Sequence, residues 1–399
     1  MSPSQHLEGG TGLRRLGGNL LLLLVSLALS VAAAELFFRT LPARSGIKRD
    51  AGELKYRFNP YRPDSVLSYA LRENASAVHH ETDFQVVVRT NALGLRGDPV
   101  SREKAADAYR ILVIGDSFAF GFGVEDDEAL PPRLAAELSL ARPGTEAINA
   151  GVPGWSADDY YLFLKTRGFE LEPDLVLLVP TGNDPGDLFW KDLELDGENL
   201  PTRTRSTRRV IDHRGRMRYR DGVPSFDFPG SAWLEGRSHL WNAMRFRLTE
   251  LWVRVSQAHD RRRLRREAGD PPQRAIAELQ PDEVRRGLLT GSEFQLRYHR
   301  YLMEAIRRDC EQRGIPLRTL QVAFRDSESA ADPAARALHE DCARTPRLCL
   351  DTGPLFSRDE SDQVFFPSDG HWTPIGHRRV ASVAADWLAD DPELALAGE

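Results

Sequence analysis

A run of four aliphatic residues, Ile111-Leu112-Val113-Ile114, leads directly into Gly115-Asp116-Ser117-Phe118. Such a run suits a strand covered on both faces. The Gly-Asp-Ser step suits a tight turn that pushes a hydroxyl out of the carboxyl edge of a sheet, where open α/β sheets place their ligands. A serine there is a candidate nucleophile, provided that a base and an oxyanion site lie within reach. Three further segments hold candidates for both, each at the end of an expected strand or in the last loop. They are Asn149-Ala150-Gly151-Val152-Pro153-Gly154-Trp155-Ser156, then Gly182-Asn183-Asp184, then Asp369-Gly370-His371-Trp372-Thr373-Pro374.

In this order the segments resemble the SGNH or GDSL family of serine hydrolases and acyltransferases, named for a Ser, a Gly, an Asn and a His in four such blocks. The resemblance runs from Tyr109 to Trp387, an insertion apart. It implies Ser117 as nucleophile, His371 as the base a serine needs, and Asp369 as the acid that orients and supports the imidazolium. It also implies an oxyanion hole made of the backbone N–H of Ser117, the backbone N–H of Gly154 and the side-chain amide of Asn183. A side chain at position 154 would block close approach of backbone to substrate. Two departures stand out. Many members space acid and base as Asp-x-x-His, which would place the acid at Ser368, whereas this chain has Asp369-Gly370-His371. Branches acting on exported polysaccharides often show this tighter spacing. Ala119 stands where a Gly-x-Ser-x-Gly elbow would have its second glycine, which argues against the α/β-hydrolase fold.

The implied activity is acyl-ester hydrolysis through an acyl-enzyme on Ser117, with no metal or organic cofactor, on an acylated small molecule, carbohydrate or lipid. Two alternatives stand beside it. One is O-acyl transfer, such as O-acetylation, to an envelope or exported polysaccharide. The other is a non-catalytic envelope binding protein, against which four intact blocks speak. Nearby residues read as structural: Asp116 holds the turn, His377 packs in the first turn of a helix, and His79-His80 lacks the spacing of a metal site. Trp155 and Trp372 flank the site and suit either a pocket wall or core packing.

The expected fold is α/β, a three-layer α/β/α sandwich with a flavodoxin-like parallel sheet of about five strands. Strands are expected from Tyr109 to Ser117 and over Glu146–Asn149, Leu175–Val179, Leu317–Val322 and Leu348–Leu350. Helices are expected over Glu128–Leu140, from Ser156 to Arg167, over Glu293–Arg313 and over Pro374–Leu388. Residues 185–291 break this rhythm and read as an insertion in a domain spanning 106–390, with a 391–399 tail. The insertion holds a hairpin signal over Arg209–Tyr219, a helical stretch over Trp241–Ala258 and a basic run from Asp260 to Arg266. The basic run reads as a solvated helix face.

Ahead of the domain, residues 1–15 form a tail, 16–39 a transmembrane anchor or signal peptide, and 40–105 a linker with a small β region. Leu16 to Ala34 is uncharged and follows Arg14-Arg15. Its length is near the lower end of the roughly 17–25 residues that span a bilayer. Ala32-Ala33-Ala34 offers a cleavage site, but Glu35-Leu36-Phe37-Phe38-Arg39 continues as a helix end, which favours a retained anchor. Arg39, Arg44, Lys48 and Arg49 would keep the body cytoplasmic on a positive-inside count, yet long domains translocate largely regardless of such charges. The expected body is extracytoplasmic, and secreted if the segment is cleaved. A net charge of −6 over 399 residues gives no electrostatic reason to expect nucleic acid. Three cysteines are too few for a disulfide scaffold, though Cys342 and Cys349 suit a pair in an oxidising compartment, with Cys310 left over.

Overall fold

The computed structural model describes residues 9–40, 60–207, 209–211, 217–219, 272–323 and 332–394, save 82 and 368, with residue 325 and single positions between 234 and 266. The first element, α1 (Gly9–Thr40), contains the stretch Gly18–Phe37, which is long and apolar enough to cross a membrane by length and composition. A small hairpin follows, β1 (Ser76–His80) against β2 (Gln85–Arg89). The α/β unit then runs β3 (Tyr109–Gly115), α2 (Ser117–Phe120), α3 (Leu130–Leu138), β4 (Thr145–Gly151), α4 (Ala157–Phe163) and β5 (Leu175–Val179). A second hairpin, β6 (Lys191–Leu195) with β7 (Pro201–Ser206), precedes α5 (Pro281–Thr290) and α6 (Ser292–Glu311). The chain closes with β8 (Leu317–Gln321), α7 (Pro333–Ala343), β9 (Cys349–Asp351) and α8 (Pro374–Ala389).

Five strands form one sheet in the order β9-β8-β5-β3-β4, every neighbouring pair parallel. This is the expected α/β architecture with doubly wound order. The chain builds β4 on one side of β3 and then crosses to place β5 on the other, so the winding reverses between β3 and β5. The two faces are covered by different helices. Leu112, Ile114, Val176 and Leu178 pack with Tyr160 of α4 and Leu302 of α6. Ile111, Val113, Leu175 and Leu177 pack with Leu134 of α3 and Val380 of α8. Strict alternation along strands buried on both sides is why these segments read as unbroken apolar runs.

Boundaries differ from expectation in instructive places. Helix α3 begins at Leu130, with Pro131 and Pro132 in its opening turn, where a missing N–H costs nothing. The helix expected to reach Arg167 is α-helical only to Phe163 and widens into a π turn over Leu164–Gly168. The hairpin near Arg209–Tyr219 is present as Arg209–Ile211 against Met217–Tyr219. All of 41–59 and most of the expected helical stretch 241–258 and of the basic run 260–266 lie outside the described residues. The flanks of segment 185–291 are integral to the domain: Leu188, Leu193, Leu200, Ile276, Val284 and Leu288 share the core of α4 and α6. Leu67, Tyr69, Leu71, Val88 and Leu95, ahead of the first sheet strand, belong to the same core. Cys342 and Cys349 form a disulfide with Cα atoms 5.1 Å apart, and Cys310 is a buried free thiol.

Candidate active site

Ser117 sits two residues past the end of β3, after Asp116, at the first position of the single turn α2. Asp116 caps that turn, its Oδ1 accepting from the Phe118 N–H at 3.0 Å. The Ser117 N–H opens the turn and has no acceptor within it, a property of every helix start. Gly121 and Phe122 donate back to the Ser117 carbonyl at 3.1 and 3.0 Å, which closes the turn.

The imidazole reaches Ser117 from a tight turn before α8. Phe365 bridges Trp372 in antiparallel fashion, the Phe366 N–H donates to the His371 carbonyl at 2.8 Å, and the Gly370 N–H to the Phe366 carbonyl at 2.9 Å. Gly370 has φ +85°, a conformation side chains disfavour, and it lets Asp369 fold back on the ring two residues later. His371 Nδ1 is hydrogen-bonded to Asp369 Oδ1, and His371 Nε2 lies 2.7 Å from Ser117 Oγ. A ring that donates through Nδ1 to a carboxylate presents Nε2 as the acceptor for the serine proton. The Asp-x-His spacing therefore closes a complete hydrogen-bonded chain of three side chains.

Aromatic rings fix the imidazole. Phe118 and Phe122 each lie 4.7 Å from the His371 ring centroid, tilted 36° and 34° to it. Phe122 in turn meets His79 edge-on at 4.3 Å, so His79 is a packing residue behind the site. Trp372 stacks edge-on against Phe118 and His377. Trp155 and Trp372 are both buried, which makes them core rather than pocket wall. His377 is buried too, and burial beside the Arg96 and His371 charges pushes its ring down to about 3.

The other two oxyanion candidates are placed differently from each other. Gly154 is the third residue of the turn Val152–Trp155, closed by the Trp155 N–H on the Val152 carbonyl at 3.1 Å. Its φ of +83° is what this turn needs of its third residue. The turn lies beside the end of β3, because the Val152 N–H donates to the Gly115 carbonyl at 3.1 Å. Asn183 follows β5 and is joined to Ser117 through side chains. Ser117 Oγ lies 3.3 Å and Thr181 Oγ1 3.2 Å from Asp116 Oδ2, and Thr181 Oγ1 lies 2.8 Å from Asn183 Oδ1. The Asn183 amide nitrogen donates to Asp187 Oδ2 at 2.9 Å, so the amide oxygen faces inward and the nitrogen outward.

Electrostatics beneath the serine are unusual. Asp116 and Asp184 are both buried, and among the described residues neither forms an ion pair. Burial pushes Asp116 up to about 6, against the pull of the Phe118 N–H and the His371 charge. Burial and the neighbouring Asp116 carboxyl push Asp184 well above the carboxylate range.

Sequence reasoning passed over Arg96 and Asn149. Arg96 is buried and donates to the Phe120 and Val124 carbonyls at 2.7 and 2.6 Å, while its Nε pairs with Asp126 at 2.9 Å. It thereby clamps the loop that follows α2. Asn149 Nδ2 donates to the same Phe120 carbonyl at 3.1 Å. Asn149 stood in the second block, but nothing marked Arg96, since an arginine in a turn-rich approach reads as surface.

No family model matches the chain, and no curated protein matches it. Solved structures similar to it include a protein assigned to the G-D-S-L lipolytic family from Desulfitobacterium hafniense DCB-2, at 11% identity over 70% of this chain and 98% of that one, TM-score 0.36. Another is AlinE4, an SGNH-hydrolase family esterase, at 29% identity over 20% of this chain and 44% of that one, TM-score 0.18. A third is BT4096, a gut microbial diltiazem-metabolizing enzyme, at 10% identity over 72% of this chain and 49% of that one, TM-score 0.33.

Proposed function

We propose that the protein is a serine-dependent acyl-ester hydrolase whose catalytic body lies outside the cytoplasm. The observation that carries this reading is the chain from Ser117 Oγ to His371 Nε2, at 2.7 Å, and from His371 Nδ1 to Asp369. Ser117 Oγ attacks the ester carbonyl carbon while its proton passes to His371 Nε2, and the carbonyl π pair moves onto oxygen. The N–H groups of Ser117 and Gly154 and the Asn183 amide meet that negative charge. Collapse breaks the bond to the alcohol oxygen, which takes the proton from His371 and leaves an acyl-enzyme. Water repeats the sequence and releases the carboxylic acid. Asp369 keeps the ring in its working tautomer and supports the imidazolium throughout.

A second reading, transfer of the acyl group to a sugar hydroxyl of an envelope or exported polysaccharide, is favoured by the two rings that sandwich His371. Phe118 and Phe122 shield the base from water, which a transferase needs more than a hydrolase does. The location outside the cytoplasm is supported by α1 and by the Cys342–Cys349 pair, since disulfides persist in oxidising compartments. A retained anchor is supported by Glu35 near the end of α1, whose carboxylate accepts from the Ser238 hydroxyl at 2.8 Å and the Leu240 N–H at 2.9 Å. Cleavage after Ala34 would leave that contact on a frayed terminus. Labelling with a fluorophosphonate, followed by peptide mass spectrometry, tests the nucleophile for both catalytic readings. The label is expected on Ser117 and is expected to disappear in His371→Ala. A folded protein that takes no label would leave the non-catalytic binding protein.

A further inference from the structure

Proton counting around Thr181 leads beyond the triad. Its hydroxyl oxygen has three oxygen neighbours: Asn183 Oδ1 at 2.8 Å, Asp184 Oδ1 at 2.8 Å and Asp116 Oδ2 at 3.2 Å. A hydroxyl has one proton to give and two lone pairs to receive with. The Asn183 nitrogen is committed to Asp187, so the atom facing Thr181 is the amide oxygen, which only accepts. The Thr181 proton therefore goes to Asn183, and the equally short contact to Asp184 Oδ1 requires a proton on Asp184. The other Asp184 oxygen accepts the Thr181 N–H at 3.2 Å, as the carbonyl oxygen of a neutral acid does.

We propose that Asp184 is a positioning residue that acts as a buried neutral acid, donating through the Thr181 hydroxyl to hold the Asn183 carboxamide with its nitrogen facing outward, where the oxyanion forms. This rests on the oxyanion role given to Asn183 above. Asp184 and Thr181 are fully buried and Asp116 nearly so. The charged and titratable groups that face Asp184 are Asp116 from the nucleophile turn, Asp187 from its own turn and the Tyr160 phenol from α4, none of them a cation. A proton on Asp184 avoids an unpaired buried charge and turns two repelling acceptors into a directed chain. The chain runs one way, from Asp184 to Thr181 to Asn183, so turning the amide oxygen toward the developing charge would forfeit the Thr181 donation to Asn183 and set that oxygen opposite Asp187 without a donor.

The test pairs a spectrum with kinetics on the full-length protein. The infrared difference between wild type and Asp184→Asn at neutral pH is expected to show loss of a protonated-carboxyl C=O stretch. Loss of carboxylate stretches instead would overturn the proposal. In Ser117-dependent ester turnover, Thr181→Val and Asp184→Leu are expected to lower kcat by roughly tenfold to a hundredfold with KM little changed, the range that misplacing a reacting group by about an ångström brings. Asp184→Asn keeps a donor toward Thr181 and is expected to restore kcat to within about threefold of wild type, since each tenfold corresponds to about 1.4 kcal/mol of barrier. An Asp184→Asn variant as impaired as Asp184→Leu would show that the site needs an anion, which contradicts the proposal. Absence of any Ser117-dependent turnover in wild type would remove the hydrolase reading, while the infrared bands would still report the Asp184 proton.

Discussion

Two pairs of buried acids occur in this molecule, and they are handled in opposite ways. Asp158 and Asp159, in the first turn of α4, lie beside Lys191, which is buried with them. Lys191 Nζ is 2.6 Å from Asp159 Oδ2, and Asp159 also accepts from the Ser68 N–H and hydroxyl. Asp158 accepts from Ser156 and Thr204 hydroxyls. The two carboxylates hold the Lys191 ammonium well above its usual range. Asp116 and Asp184 have hydroxyls and backbone donors but, among the described residues, no ion pair; the only positive charge felt is that of His371, by Asp116. The first pair is a charged fastening between α4, the segment before the sheet and β6. The second, directly under Ser117, relieves its desolvation by holding a proton. A neutral acid there orients dipoles without adding a net charge.

Several changes would break or sharpen this contrast. The largest stability effect is expected from Lys191→Met, which strands two buried carboxylates and should cost about 3–5 kcal/mol in urea unfolding. An unchanged midpoint would mean that the pair is not held by charge. On the catalytic side, Asn183→Ala is expected to lower kcat for a simple ester by about 10²–10³, or about 2.7–4 kcal/mol of transition-state stabilisation, with the unfolding midpoint near wild type. Wild-type kcat in that variant would move the oxyanion site elsewhere.

A smaller, pH-dependent effect belongs to Asp116. Its folded value of about 6 lies above the roughly 3.9 of an unfolded aspartate, so the folded state binds more protons between the two. Wild-type stability should therefore fall as pH rises from about 4 to about 6 and level off beyond. Asp116→Asn should lose the Asp116 share of this decline, gaining on wild type by up to roughly 3 kcal/mol across that interval, while Asp159, also raised to about 6, keeps its own share. A stability difference that does not change with pH would show that burial leaves Asp116 unshifted. Thr204→Val removes one hydroxyl from Asp158 and is expected to cost roughly 1.5 kcal/mol of stability, with ester turnover unaffected.

Much of the fold and of the candidate site was legible in the chain. Strands β3 and β5 are continuous apolar runs because both sheet faces are covered, and that pattern has few other readings. The Ser117, Asn183 and His371 segments stand at strand ends or in the last loop, where a doubly wound sheet gathers ligands. The Thr181–Asp184 chain was not legible, because a Thr and an Asp after a strand look like ordinary turn residues until burial and distance show that one must hold a proton. Lys191 and the core residues around Leu193 and Val284 fell in a stretch whose periodicity breaks, so their burial left no repeat to read. Arg96 escaped for the same reason: its fastening role depends on carbonyls about 25 residues away, not on any local pattern.

The measurement that tests the account most directly is the hydrolysis of short-chain nitrophenyl esters by the full-length protein beside its Ser117→Ala variant. The account predicts turnover by the wild type that disappears with the serine hydroxyl while the fold is retained. Equal turnover in the two proteins would contradict it, because the acyl group would then be leaving by a route that never touches Ser117.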